Sequence, residues 1–353
     1  RKTLREIIMT LFLIIGCNNG GGEDPQKVFL TSIANLGKGF LDVFVTFGDM
    51  VTGAFGIKAE TKKSEVGQYF TDIEKTMTSV KNKLNTVVSE NSNYPKVQEV
   101  VNQFITGTLD KIIAGAKKAA SGATDGAVIG GVVKSNAGTS VDATSVNALV
   151  KGIKEIVDLL IKEGDGQADK TKPVEDDKKK IGKLFGAKNS ADSGAEDKHV
   201  AAASASIGAV TGADILKAIA AANADATKDG KVKDATDAAA LALAKGTSTD
   251  NEDQLGDSAR KDAIIAAGIA LRAMAKDGKF IVKDTGANKT EAESAKGVAA
   301  SAVGKTLSTL IIAIRNTVDS GLKNINKVLA TVKQEDKSAE ATNTVGSTAS
   351  AQN

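Results

Sequence analysis

Tryptophan is missing from this chain of 353 residues, and tyrosine (2), proline (3), cysteine (1) and histidine (1) are scarce. One cysteine excludes a disulfide scaffold, and a single cysteine with a single histidine excludes a Cys/His metal centre. An excess of one charge sign is missing as well: 46 Lys and Arg stand against 43 Asp and Glu, a formal charge of +3. Without a basic excess or stacking aromatics, a nucleic-acid partner is excluded. The residues that are present argue against disorder, since 41% hydrophobic residues at low net charge can bury a core. The wealth of Ala, Gly, Lys and Asp points to a soluble, helix-rich chain, and the length admits one long domain or two.

The lone cysteine has a telling position. Arg1-Lys2-Thr3-Leu4-Arg5 precedes the apolar run Ile7 to Ile15, a basic head and short hydrophobic stretch typical of a secretory leader. No initiator Met is present, so the reading is expected to begin slightly inside the true start. Ile14-Ile15-Gly16-Cys17 then resembles the bacterial lipobox. In that processing, cleavage after Gly16 leaves Cys17 as an N-terminus bearing a thioether-linked diacylglycerol and an acylated amine, because the thiolate is the atom that is alkylated. Three acyl chains hold far more firmly than the marginal grip of one. We therefore expect residues 1–16 to be a lipoprotein signal peptide, Cys17 the lipidation site, and residues 17–26 a flexible tether. Removing Arg1, Lys2, Arg5 and Glu6 lowers the formal charge from +3 to about +1.

Helical periodicity dominates the chain beyond the tether. Phe29, Ile33, Leu36, Phe40, Phe44, Phe47, Val51 and Phe55 recur at steps of three and four, weakened by Gly37, Gly39, Gly48 and Gly53, which suggest close helix approach or a break. A second stripe is Val66, Phe70, Ile73, Met77, Val80, Leu84 and Val87. A third begins near Pro95 with Val97, Val101, Phe104, Leu109 and Ile112. Nine of the eleven aromatics beyond Cys17 lie between Phe29 and Phe104, and plain core explains them better than a cofactor pocket. Ser121 to Asn147 reads as loop. Val146, Leu149, Ile153, Ile156, Val157 and Leu160 mark a shorter helix, and Ala187 to Gln254 alternates Ala-rich helical pieces with polar turns. The last long helix spans about Glu291 to Lys333, striped by Val298, Val303, Leu307, Leu310, Ile314, Val318, Leu322, Ile325, Leu329 and Val332. No uninterrupted apolar run reaches the ~20 residues of a membrane span. Residues 335–353 have no apolar period and read as a disordered tail.

Motifs suggestive of chemistry fail on inspection. Gly304-Lys305-Thr306 imitates a phosphate-binding loop, but the first glycine of that pattern is Ala299 and no strand precedes it. Asp225 to Thr236 imitates a calcium loop with Thr227 and Thr236 at ligand positions, so a turn between helices is the better reading. His199, the sole histidine, has no thiol or second imidazole to work with and is expected to be a solvated residue at a helix start. Lys231-Val232-Lys233-Asp234 reads as a solvated face. No catalytic, cofactor-binding or metal-binding residue is identified, and no enzyme activity is expected.

A longer pattern carries more information. Ser258 to Asp284 (Ser-Ala-Arg-Lys-Asp-Ala-Ile-Ile-Ala-Ala-Gly-Ile-Ala-Leu-Arg-Ala-Met-Ala-Lys-Asp-Gly-Lys-Phe-Ile-Val-Lys-Asp) closely resembles the shared segment of the variable large proteins of relapsing-fever Borrelia. It is similar also to the VMP-like variable surface lipoprotein of Lyme Borrelia. Leu36–Phe44, Val150–Val157 and Gly182–Gly186 agree with the same family, so that the resemblance runs along essentially the whole chain. It implies an outer-membrane surface lipoprotein whose expressed copy is swapped among silent versions, so that antibodies against one serotype miss the next. It also implies an elongated, mostly helical body with both termini near the membrane and variable loops outward. Only Cys17 carries over as a functional residue. In that family the Ser258–Asp284 segment is helical and shielded, and here Ile264, Ile265, Ile269, Leu271, Met274, Phe280 and Val282 independently ask for burial.

The expected fold class is all-α: an elongated helical bundle over residues 27–334, with long N- and C-terminal helices as a membrane-proximal stem and a loop-rich distal part. The expected function is that of a lipid-anchored serotype antigen, held in the outer membrane by its acyl chains and facing host antibodies. Composition nominates Ser121–Asn147, Glu163–Lys180, Ala187–His199, Ala224–Asp234, Gly246–Asp257 and Asp284–Glu291 as outward regions. The alternative is an adhesin for a host ligand such as glycosaminoglycan, using Lys178–Lys180 with Lys170, Lys172 and Lys183. Homodimerisation through the stem stays open.

Overall fold

The stripe Val66, Phe70, Ile73, Met77, Val80, Leu84 and Val87 lies on one face of a single helix, α1 (Lys63–Glu90), and every member is buried. Spacing of three and four residues puts these side chains over one another on the helix, so one continuous face leaves water. The computed structural model describes residues 31, 32, 34, 35, 37–39, 56–134, 140–171, 176–188, 193–246, 253–286 and 289–333. Beyond α1 come α2 (Pro95–Phe104), a π-helical turn (Ile105–Leu109), α3 (Asp110–Ala120), β1 (Val132–Lys134) and α4 (Ala143–Leu160). Next are a 3-10 helix (Asp176–Leu184), α5 (Asp197–Ala209), α6 (Gly212–Ala221), a 3-10 turn (Val232–Asp234) and α7 (Ala238–Ala242). The chain closes with α8 (Asp262–Met274), β2 (Phe280–Val282) and α9 (Thr290–Ala330). The fold is all-α, with two three-residue strands as its only named strands among the described residues.

Two compact units divide these residues. One is built from Val80–Thr106 and the described parts of Arg1–Thr46 and Asp319–Asn353; the other from Phe47–Ser79 and Gly107–Val318. In the first, Val80, Leu84, Val97, Val101, Leu322 and Ile325 are buried. Gly39 is a close-approach glycine there, since a Cβ would stand 2.6 Å from Val87 Cγ2. All eight residues of the stripe from Phe29 to Phe55 lie outside the described residues, as do Cys17, the leader and tether, and the tail.

The second unit is organised around α8. Its sequence, Asp-Ala-Ile-Ile-Ala-Ala-Gly-Ile-Ala-Leu-Arg-Ala-Met, is apolar nearly all round, and a helix of that kind is stable only when enclosed. Every residue of α8 except Ile264 is buried; Ile264, expected inside, is half-exposed. Helices α5, α6 and α7 pack on α8, and α4 packs on α3 and α6. Between α3 and α4 the backbones touch: a Cβ on Gly152 would fall 2.4 Å from Gly115 O and 2.3 Å from Ala119 N.

Ser121–Asn147 is more structured than its small-residue composition suggests. It holds β1, and α4 begins within it at Ala143 behind the N-cap Asp142. Val132, Val133 and Lys134 pair in parallel with Phe280, Ile281 and Val282, and Ala195 bridges the other edge of β2 at Val282. The segment Ser258–Asp284 is therefore helix, turn and buried strand rather than helix throughout. Three residues carry no legible alternation, so the strand emerges only from its partners.

The C-terminal stripe from Val298 to Leu329 is buried along α9. This helix is long and apolar enough to cross a bilayer by composition, yet half of its most apolar window is buried within the protein.

Candidate functional site

Lysine is abundant here, and tertiary contacts give several lysines a specific task. A helix ends in carbonyl oxygens without intrahelical donors and carries a partial negative charge there. Helices α4, α5, α6 and α7 have no basic residue in their own last turns. A cation from another helix fills the gap in each case. Lys217 on α6 donates to Ile161 O at the end of α4 (2.6 Å), and Lys154 on α4 donates to Ala220 O at the end of α6 (3.1 Å). Lys305 on α9 donates to Ile207 O (2.8 Å) and Val210 O at the end of α5. Arg272 on α8 donates through Nη1 to Ala242 O (2.8 Å) and Ala244 O (2.9 Å) at the end of α7, and through Nε to Lys279 O (2.6 Å). Lys63 on α1 donates to Ala273 O and Arg272 O at the end of α8.

Two of these cations are enclosed. Arg272 is fully buried with its guanidinium 5.9 Å from the Phe185 ring centroid, and burial pushes it down to about 9. Its fork of donors suits three convergent carbonyls, which a single ammonium could not serve in the same way. Lys63 is 1% exposed, and burial pushes it down to about 7, opposed by Asp125.

The N-termini are capped by side chains. Asp142 accepts from Ser145 N (2.6 Å) on α4, and Asp237 from Ala239 N (2.8 Å) and Ala240 N (3.0 Å) on α7. Thr211 and Asp214 form a reciprocal capping box on α6, and Asp214 also accepts from Gln167 N (2.8 Å). The first amide of α8, Asp262 N, donates to Thr171 Oγ1 (3.3 Å) from a remote turn in which Thr171 holds φ 67°. Each bond reaches main chain or a capping side chain, so the frame is tied at its helix ends.

The structure settles the residues singled out in the sequence one by one. Thr306 is buried and donates back to Ala302 O (2.7 Å), while Lys305 is engaged with α5, so Gly304–Thr306 is not a phosphate loop. Asp225 pairs with Lys151 (2.7 Å) and Asp229 accepts from Ser140 (2.6 Å), which makes that segment a turn. Val232 is completely buried, so Lys231–Asp234 is not wholly a solvated face. His199 does sit at a helix start, in the first turn of α5, but it is 3% exposed rather than solvated. The fold packs a 3-10 helix and α8 against α5, and no local pattern announces that.

Lys178–Lys180 and Lys183 share the 3-10 helix, with Lys180 exposed and Lys183 half-buried; Lys172 lies outside the described residues. An open cleft of about 520 Å³ is lined by Glu196, Asp197, Lys198, Lys283, Asp284, Lys289 and Glu291. Its charges are interleaved and largely spent on each other, Lys198 and Lys283 on Glu196 and Lys289 on Asp284. Among the described residues no three His, Cys, Asp or Glu side chains are grouped to hold a metal.

Several turns are exposed over consecutive residues. Thr227–Lys231, Lys162–Asp165 and the described residues between Thr285 and Thr290 are exposed, while α8 is buried apart from Ile264. Val128 and Ile312 are the large apolar side chains exposed among the described residues.

Comparison with known proteins places this architecture. Residues 40–329 match the model of a family described as Borrelia lipoprotein. Variable large protein 17 of Borrelia hermsii is 60% identical over 100% of this chain and 99% of its own length. Variable large protein 4 of the same organism is 57% identical over the full length of both chains. The crystal structure of the Lyme disease variable surface antigen VlsE of Borrelia burgdorferi superposes with a TM-score of 0.73 at 36% identity, covering 85% of this chain and 98% of that one. The chain belongs to the Borrelia lipoprotein family.

Proposed function

We infer that this protein is a variable surface antigen: it presents replaceable turns to host antibody on a helical frame that does not depend on their sequence. The observation that carries the reading is the end-to-end similarity to variable large proteins. The bonding pattern gives it a physical mechanism. Lys63, Lys154, Lys217, Lys305 and Arg272 all donate to main-chain carbonyls, and every residue type supplies a carbonyl. The side chains at those positions can therefore change without removing an acceptor. Polar exposed turns change at little cost, since surface substitutions typically fall within about ±0.5 kcal/mol.

The anchor in this reading is Cys17, acylated after removal of residues 1–16, with residues 17–26 as tether, 27–334 as the displayed body and 335–353 as a tail. The protein then sits on the outer face of the cell's outer membrane. Mass spectrometry of the mature N-terminal peptide tests the anchor: a mass shift on Cys17 matching three acyl chains is expected, and a free thiol refutes it. Antigen function is tested by antibodies raised against this chain. They should bind intact cells that express it and fail on cells expressing a relative with different turns; equal binding to both refutes the reading.

A further inference from the structure

The chain's one histidine occupies a position that only its neutral form can hold. His199 Nδ1 accepts a hydrogen bond from Glu196 N (3.0 Å), while the Glu196 side chain accepts from His199 N, a reciprocal capping box at the start of α5. An accepting Nδ1 places the proton on Nε2, and that atom is buried without a hydrogen-bond partner. The segment just ahead of it is fastened to the buried strand: Ala195 N donates to Ile281 O (3.2 Å) and Lys283 N to Ala195 O (2.9 Å). Ser193 donates through its hydroxyl to Lys188 O.

The surroundings are hostile to a second proton. Lys180 and Lys183 approach from the 3-10 helix and Lys198 from α5 itself, opposed by Glu196, which is shared with Lys198 and Lys283. From α8 the ionisable groups are Asp262, bonded to Thr171, and Arg272, bonded to carbonyls. Lys305, from α9, is held at the opposite end of α5. Burial, reinforced by Lys183, pushes the imidazole down to about 4.

We propose that His199 is an acid-released pin: protonation turns Nδ1 from acceptor to donor, breaks its bond to the Glu196 amide, and frees the Ser193–Val200 segment from the edge of β2. The device belongs to the fold and does not rest on the antigen reading. Linkage sets the sign. A base whose folded pKa is depressed stabilises the closed form above its free value near 6.5, and that stability is lost as pH falls toward 4. Between pH 7.5 and 5 the open population of this segment should rise by about 30-fold. Glu196 does not share this window, because the Lys198 bond holds its carboxyl below the usual range.

Hydrogen exchange of the whole chain at pH 7.5 and 5.0, corrected for intrinsic rates, tests the pin. Peptides covering Gly194–Ala203 should lose protection by about that factor, whereas those in α3 and α4 should not. In His199→Gln the pH dependence of this segment should disappear. An equal rise in the variant overturns the proposal, as does an unchanged wild type. If His199→Gln does not fold, the single imidazole resonance of the wild type decides: titration near 6.5 without change in exchange refutes the pin, and titration well below 5.5 supports it.

Discussion

At the scale of the residue, one lysine and one arginine differ from all their sequence neighbours. Nothing in Thr61-Lys62-Lys63-Ser64 distinguishes Lys63 from Lys62, yet Lys62 is exposed and Lys63 is buried at the end of α8. Only the long-range contact separates them. Burial lowers the folded pKa of Lys63 from 10.5 to about 7, so the unfolded chain binds more protons throughout that interval. Stability should therefore rise with pH across it, by about 2 kcal/mol between pH 7.5 and 9.5. Urea unfolding at the two pH values should show this gain in the wild type and lose most of it in Lys63→Met. Arg272→Lys retains the charge but cannot reproduce the fork, leaving carbonyls among Ala242, Ala244 and Lys279 unsatisfied. It should cost about 2–4 kcal/mol in the same assay.

At the scale of the element, periodicity located the long helices because their stripes face a core continuously. It also carried a signal about irregularity. Along Val97, Val101, Phe104, Leu109 and Ile112 one step is five residues, and there the chain forms a π turn, Ile105–Leu109. One extra residue keeps Phe104 and Leu109 both buried where a regular helix would rotate one of them away. Removing Gly107, whose Cα faces open space, should convert the turn to α-helix. Thermal unfolding of that deletion should stay cooperative, with Tm within a few degrees of the wild type. The α3–α4 crossing is less forgiving. Gly152→Ala must push a Cβ against backbone atoms of Gly115 and Ala119, and should lower stability by about 1–3 kcal/mol in urea. The short parallel ladder of β1 and β2 left no comparable trace, since its register is set by partners 148 residues apart, as Val132 and Phe280 are.

At the scale of the whole molecule, family membership and the bonding plan describe the same division of labour. Exposed turns such as Thr227–Lys231 make few demands on the frame, while buried Ala-rich helices are held at their ends by cations and caps. Replacing Thr227 and Lys228 by Glu should change stability by less than about 0.5 kcal/mol. The same replacement should abolish binding of antibodies selected against that turn, read by surface binding on intact cells. Substitutions in buried α8, such as Ile269→Ala, should instead cost about 2–5 kcal/mol and weaken all conformational antibodies together.

The sequence by itself determined the helical class, the faces that α1 and α9 bury, and the family, because apolar spacing and extended motifs are written in consecutive residues. Cys17 is proposed as the lipidation site on the same kind of ground, a local pattern that processing chemistry would read. The sequence could not mark which lysines cap which helices, why His199 is enclosed, or that Val132–Lys134 pairs with Phe280–Val282. Those outcomes depend on atoms brought together from distant positions. Beside the aliphatic stripes the core holds many alanines, and these with glycines such as Gly115 and Gly152 let helix backbones come close. Close backbones put carbonyl ends within reach of another helix's lysine, and that distance exists only in the folded chain.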